Sequence, residues 1–142
     1  MRCDEMMKSN PECLRKDQSM QEAARRMRDL NIGFLPVCDG GKVLGVLTDR
    51  DIAVRCVADG KDTNTPVEQF MSRQVVACRP EDDIRKAQQL MGQAQKSRIL
   101  VVDQSGKLVG VISLSDIAQQ EGDSDNVART MREVTDRETR TQ

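Results

Sequence analysis

Apolar residues come in short clusters whose spacing alternates between helical and strand-like. Met20, Ala23, Ala24, Met27 and Leu30 fall at i, i+3, i+4, i+7 and i+10, one face of an amphipathic helix, with Asp17 or Ser19 placed to cap it. Phe34-Leu35-Pro36-Val37-Cys38 and Val43-Leu44-Gly45-Val46-Leu47 flank Asp39-Gly40-Gly41-Lys42, which reads as a β-hairpin. Ile52, Ala53, Cys56 and Val57 then mark the buried face of a second helix. Further along, Pro80-Glu81-Asp82-Asp83 opens a helix carrying Ile84, Ala87, Met91 and Ala94. Strands at 98–103 and 107–112 enclose Gln104-Ser105-Gly106, and a helix begins near Ser113. Short strands are expected at 12–14 and 75–78.

The plan therefore occurs twice. Laying 34–53 over 99–118, an offset of 65, gives nine identities in twenty, among them Leu35/Leu100, Val37/Val102, Gly45/Gly110 and Asp51/Asp116. Upstream the offset is 64, where Met7, Ala23 and Met27 meet Met71, Ala87 and Met91. A unit of about 60 residues buries little surface alone, so the two copies are expected to share one core. The first copy spans 2–58 and the second 68–121, with a polar linker at 59–67. Thr65-Pro66-Val67-Glu68 near its end carries a capping Thr, Pro at N1 and Glu at N3, the marks of a helix start. The tail at 122–142 is polar; Val127, Met131 and Val134 suit a short packing helix, with disorder expected beyond Asp136. The fold class is α/β, of the α+β type.

Composition narrows the chemistry. The chain has no His, Trp or Tyr and two Phe, Phe34 and Phe70. Without His, Ser-His and Cys-His catalysis and His-containing zinc sites are excluded. Lys+Arg is 22 against Asp+Glu 23, with no basic block, and few aromatics; both single-stranded and duplex nucleic-acid binding lack support. No apolar run reaches membrane-span length and the first residues lack a signal-peptide stretch, so no membrane partner and a cytoplasmic location are expected. Five cysteines stand at 3, 13, 38, 56 and 78, none closer in sequence than ten residues. They read as reduced, mostly buried thiols. Cys3, near a terminus, is expected to be exposed and open to oxidation.

The informative positions lie where each hairpin's second strand meets the following helix. One copy reads Gly45-Val46-Leu47-Thr48-Asp49-Arg50-Asp51-Ile52, the other Gly110-Val111-Ile112-Ser113-Leu114-Ser115-Asp116-Ile117. Ser/Thr-x-x-Asp is a capping box. The same geometry suits a nucleotide: the helix start offers N–H groups to phosphate, Thr48 adds a hydroxyl, Arg50 a charge, and Asp51 a carboxylate able to accept from two ribose hydroxyls. The two readings can coexist.

This duplicated unit, with its Leu35-Pro36-Val37 and Leu100-Val101-Val102 strands, its Gly41 and Gly106 turns and its Leu-Thr-Asp-Arg-Asp-Ile motif, resembles the tandem CBS domains of a Bateman module. The resemblance covers about residues 2–121 and is to the stand-alone bacterial CBS-pair type. It implies two β-α-β-β-α repeats packed through their sheets with pseudo-twofold symmetry. It also implies two clefts for adenine nucleotides (AMP, ADP, ATP, NAD or S-adenosylmethionine), a disc-like homodimer and an unidentified regulated protein. Carried over by position, a first site takes Val46, Thr48, Arg50 and Asp51 with Val75, Val76, Ala77 and Arg98. A second takes Val111, Ser113, Ser115 and Asp116 with Cys13, Ile32 and Gly33. The copies depart from one another: the second has Val101 in place of Pro, and uncharged Leu114 and Ser115 where the first has Asp49 and Arg50, so the Asp51 site is expected to hold phosphate more tightly.

The leading function is a non-catalytic regulatory sensor of adenine nucleotides, signalling through a change in module or dimer geometry. The absence of a nucleophile–base arrangement, metal cluster or Walker-type loop argues against an enzyme. One alternative is a ligand-free dimerisation or docking module in which the two motifs are only caps. A thiol-redox protein is disfavoured by the lack of any proximal Cys pair.

Overall fold

The computed structural model describes residues 1–121 and 125–140. In chain order the elements are α1 (Cys3–Met6), β1 (Lys8–Ser9), β2 (Leu14–Arg15), α2 (Met20–Leu30), β3 (Phe34–Asp39), β4 (Lys42–Thr48) and α3 (Asp49–Asp51). A π-helical segment, Ile52–Val57, and a 3₁₀ turn, Val67–Gln69, follow. The second half carries β5 (Ala77–Cys78), α4 (Ile84–Ala94), β6 (Arg98–Val102), β7 (Leu108–Ser113), α5 (Leu114–Glu121) and α6 (Asp125–Arg140).

Two compact units result, and each crosses the repeat boundary. A central unit is formed by Glu12–Val75, and a terminal unit by Met1–Pro11 with Val76 onward. The central sheet runs β2-β3-β4, parallel then antiparallel, and is extended by a bridge from Val46 to Ser72. The terminal sheet runs β1-β7-β6-β5, with Lys8 paired to Val111 and Ser9 to Gly110. In each unit the edge segment comes from the opening stretch of the other repeat. A side chain at Gly45 would stand 2.5 Å from the Ser72 carbonyl, and one at Gly110 would collide with Met7. Both positions therefore need glycine for the edge segment to close in.

Burial follows the same exchange. The central cluster joins Leu14, Met20, Ala23, Met27, Leu35, Val37, Leu47 and Cys56 to Val67 and Met71. The terminal cluster joins Ile84, Ala87, Met91, Ile99, Val101, Ile112 and Ile117 to Cys3 and Met6. Where repeat length implied one shared core, there are two buried clusters, each completed by a segment that lies outside its own repeat.

The helix registers match expectation at α2 and α4. Ser19 caps α2 by accepting from Glu22 N–H at 3.1 Å, and Asp83 caps α4 by accepting from Arg85 N–H at 2.9 Å. Both end in a left-handed residue, Asn31 and Gln95. Leu30, assigned to the buried face of α2, is exposed at the last turn.

Other expectations are corrected. Of the four residues assigned to the second helix face only Cys56 is fully buried, and Val57 is 65% exposed. The cause is π winding: Ala58 N–H donates to Ala53 O and Lys61 N–H to Cys56 O, i→i+5 bonds that break the 3.6-residue period. Thr65 caps nothing; its carbonyl accepts from Met20 N–H, and the turn it precedes is three residues long with no side-chain cap. The polar tail holds a 16-residue helix, α6, which continues past Asp136 to Arg140. Its inward face presents Val127, Thr130 and Val134, with Met131 46% exposed; residues 122–124 and 141–142 lie outside the described residues. The helix is long because it has a surface to cover: at Gly92 of α4 a Cβ would collide with Glu133.

The repeat alignment also shifts. Leu35 pairs with Leu47 and Ile99 with Ile112, while Val37 pairs with Gly45 and Val101 with Gly110. Leu35 therefore corresponds to Ile99 and Pro36 to Leu100, an offset of 64 along β3 and β6. The offset becomes 65 only after the hairpin turn, where the second copy has one more residue.

Candidate functional site

Both motifs form reciprocal caps. In the central unit Asp51 N–H donates to Thr48 Oγ1 at 3.1 Å and Thr48 N–H donates to Asp51 Oδ2 at 2.9 Å. In the terminal unit Asp116 N–H donates to Ser113 Oγ at 3.0 Å and Ser113 N–H to Asp116 Oδ2 at 3.2 Å. The capping-box reading is thus correct in both copies. It consumes one oxygen of each carboxylate. The other, Oδ1, is offset from a cation: Arg55 Nε stands 3.9 Å from Asp51 Oδ1, and Lys8 Nζ stands 3.7 Å from Asp116 Oδ1. Both Asp side chains keep 19% of their surface exposed. A carboxylate held this way has its orientation fixed and one oxygen able to accept from a hydroxyl.

The unit of Thr48 and Asp51 also holds Val46 and Val75, both half-buried, and the exposed Arg50. Val46 is fixed by two backbone bonds with Ser72, at 2.9 and 2.8 Å. Cys13, Ile32 and Gly33 are also in this unit, and Asp49 N–H donates to Gly33 O at 2.9 Å. A Cβ at Gly33 would stand 2.5 Å from Asp49 Oδ2, so the bare backbone there is what admits the Asp49 side chain.

The terminal unit holds Val111, Ser113, Ser115 and Asp116, together with Val76, Ala77 and Arg98. Arg98 is directly opposite Ser113 in the β6–β7 ladder, so the two side chains leave the same sheet face. Ser113 Oγ and Ser115 Oγ are 3.0 Å apart. The residues that the sequence grouped by site are therefore distributed by unit: Val76, Ala77 and Arg98 with Asp116, and Cys13, Ile32 and Gly33 with Asp51.

Lys8 is the residue the sequence reading missed. The second motif has Ser115 where the first has the cation Arg50, but β1 delivers Lys8 to its carboxylate, and Arg98 stands across from its hydroxyl. The signal was available: Met7 matches Met71, so Lys8 follows a position already assigned to the repeat. The charge difference between the copies is consequently smaller than their motifs suggest.

A family model described as the CBS domain matches this chain twice, at residues 3–57 and 67–121. The chain belongs to the CBS-domain family. This CBS pair is 45% identical over 102 residues to the CBS domain-containing protein YhcV of Bacillus subtilis, covering 72% of each chain. Among solved structures it resembles Hypoxic Response Protein I, crystallised with two coordinated zinc ions. The TM-score is 0.77 at 29% identity, over 84% of this chain and 98% of that one. It also resembles the CBS domain pair of protein MJ0100 in complex with 5′-methylthioadenosine and S-adenosyl-L-methionine. There the TM-score is 0.76 at 26% identity, over 86% of this chain and 96% of that one. Among the described residues of this CBS pair no three or more Cys, Asp or Glu side chains gather as a metal site. No described helix is long and apolar enough to cross a membrane.

Cysteine placement departs from expectation. Cys3 is fully buried rather than exposed, because it takes the position that Val67 occupies in the other unit. The equivalence is visible in the backbone: Cys3 N–H donates to Asp82 O just ahead of α4, as Val67 N–H donates to Gln18 O just ahead of α2. Cysteines remote in sequence also meet: Cys38 Sγ is 3.3 Å from Cys13 Sγ, and Cys78 Sγ is 3.6 Å from Cys3 Sγ. All five are thiols.

Proposed function

We propose that this CBS pair is a non-catalytic regulatory module that binds an adenine nucleoside or nucleotide at each capped helix start. The observation that carries the reading is the half-engaged carboxylate: Asp51 and Asp116 each commit Oδ2 to the cap and hold Oδ1 beside a cation, on a side chain that is 19% exposed. Such a group accepts from ribose hydroxyls without moving. The nearby cations, Arg50 and Arg55 in one unit and Lys8 and Arg98 in the other, suit a phosphate or another anionic end. Val46, Val75, Val111 and Val76 offer aliphatic surface to a base, since the chain has no Trp, Tyr or His to stack on it. The complex of protein MJ0100 with 5′-methylthioadenosine and S-adenosyl-L-methionine supports the ligand class.

Regulation requires that the ligand bind two states with different affinity. Assembly of two chains belongs to the same reading, and Val54 and Val57, 46% and 65% exposed on the π-helical segment, suit such a contact. Titration calorimetry with AMP, ATP, NAD, S-adenosylmethionine and 5′-methylthioadenosine tests it. Asp51→Ala and Asp116→Ala are each expected to remove one class of sites. Lys8→Ala is expected to weaken phosphate-bearing ligands at the Asp116 site while sparing 5′-methylthioadenosine. No heat with any of the five ligands would leave the motifs as caps alone.

A further inference from the structure

The central unit contains a thiol pair that the sequence conceals. Cys13 and Cys38 are 25 residues apart, yet β2 lies parallel to β3 with Arg15 opposite Cys38. Arg15 and Cys38 leave the same face of the sheet, and Cys13, one residue before β2, brings its sulfur to Cys38. The sulfurs are 3.3 Å apart, and a disulfide needs them about 1.3 Å closer. Cys38 is 8% exposed, whereas Cys13 is half-buried and reachable.

The second pair, Cys3 and Cys78, has a different setting. Its sulfurs are 3.6 Å apart, but both residues are buried, at 0% and 4% exposure, in the terminal core. They occupy places that Val67 and Leu14 fill in the central unit, as the ladders Leu14–Val37 and Cys78–Val101 show. They serve as small apolar residues.

We propose that Cys13 and Cys38 form a redox-active dithiol that a small disulfide oxidises to an intramolecular disulfide, Cys13 attacking and Cys38 resolving. In the first step the Cys13 thiolate bonds to one sulfur of the small disulfide, breaking its S–S bond and expelling one thiolate. In the second, Cys38 gives its proton to solvent and its sulfur attacks Cys13 Sγ, expelling the second small thiolate. Two protein thiols are oxidised and the small disulfide is reduced to two thiols.

The local chemistry supports this division of labour. The hydrogen bond from Cys38, aided by Arg26, draws the Cys13 thiol down to about 7, against burial and the Glu12 carboxylate, while the same bond and burial push Cys38 up. Arg26 also donates to the Cys13 carbonyl and pairs with Glu12, fixing the charges that face the thiol. Relative to an ordinary thiol, Cys13 holds more thiolate at neutral pH, and this gain works against the lower intrinsic nucleophilicity that accompanies a lowered pKa. The proposal stands independently of the nucleotide reading.

Trypsin places every cysteine on its own peptide: 3–8, 9–15, 29–42, 56–61 and 74–85. The full chain is equilibrated in reduced/oxidised glutathione buffers of increasing oxidation, quenched with N-ethylmaleimide and mapped by mass spectrometry. The expected product is a 9–15/29–42 linkage at ratios where peptides 3–8, 56–61 and 74–85 remain alkylated. In Cys38→Ser, or Cys38→Ala should Ser disturb folding, Cys13 is expected to hold a single glutathione. In Cys13→Ser, Cys38 is expected to stay a thiol. The proposal is overturned if the linkage is absent in fully oxidised buffer, forms only in urea, or follows linkage of Cys3 to Cys78. Glutathione adducts on Cys38 in Cys13→Ser as fast as those on Cys13 in Cys38→Ser would overturn the roles.

Discussion

The two units start from one duplicated pattern and differ most in what covers their long helices. In the terminal unit α6 packs along α4, and Glu133 occupies the space above Gly92. The equivalent of Gly92 in α2 is Arg28, since both stand three residues before the left-handed cap; Arg28 is exposed. Glycine costs a helix interior about 1 kcal/mol relative to Ala, so its presence in α4 reports an approach that a larger residue would prevent. Here the two copies differ where one of them has a neighbouring helix and the other meets solvent.

Transplanting the difference is the most disruptive test. Gly92→Arg is expected to lift α6 and expose Val127 and Val134, both 4% exposed in place. At roughly 2 kcal/mol for each side chain, the loss is about 4 kcal/mol. Gly92→Ala should be nearly neutral, because the clashing atoms are the mobile end of Glu133 and the helix gains propensity. Urea midpoints measure both. An unchanged midpoint for Gly92→Arg would mean that α6 contributes nothing to stability.

The caps come next in size. Thr48→Ala and Ser113→Ala each remove the acceptor for an Asp N–H while leaving the reverse bond from the backbone to the carboxylate. Each is expected to cost about 1 kcal/mol in denaturant unfolding. The comparison sharpens if the costs differ. Ser113 heads an eight-residue α-helix, whereas Thr48 heads one turn that passes into π winding.

These contrasts bear on what the sequence could disclose. The hairpins, the two long helices and the capping boxes were legible because each rests on local chemistry: a 3.6-residue stripe, turn residues, and Ser/Thr three residues before Asp. The offset along β3 was not. At 65, Leu35/Leu100 and Val37/Val102 are identical; at 64, Val37/Val101 and Asp39/Asp103 are. The tie is broken only by strand register, where one residue decides which face a side chain takes. Lys8 and the thiol pairs were hidden for a related reason. Each is a contact between segments far apart in sequence, made when an edge segment or a parallel strand closes. Nearness to a terminus predicts exposure at Cys3, but backbone bonds from Cys3 and Asp4 to Asp82 and Pro80 tie that end down.

The smallest effect separates the central thiol pair from its setting by pH. Cys13 ionises more readily folded than unfolded, at about 7 against an ordinary 9. Between about pH 7 and 9 the unfolded chain therefore binds more protons at this residue, and stability rises with pH. Cys38 is shifted the other way by its bond to Cys13. Above about 9 the folded chain keeps a proton that the unfolded chain has lost, and stability falls again. The pair thus favours folding most in mildly alkaline solution. Cys13 is only half-buried, so solvent screening holds the gain to roughly 0.5 kcal/mol. Urea midpoints of the reduced native chain and of Cys13→Ser, measured from acid through mildly alkaline pH, should diverge as pH rises through about 7 and converge above about 9. Parallel profiles would mean that the two sulfurs do not share a proton in solution, and the contact between β2 and β3 would then be one of packing alone.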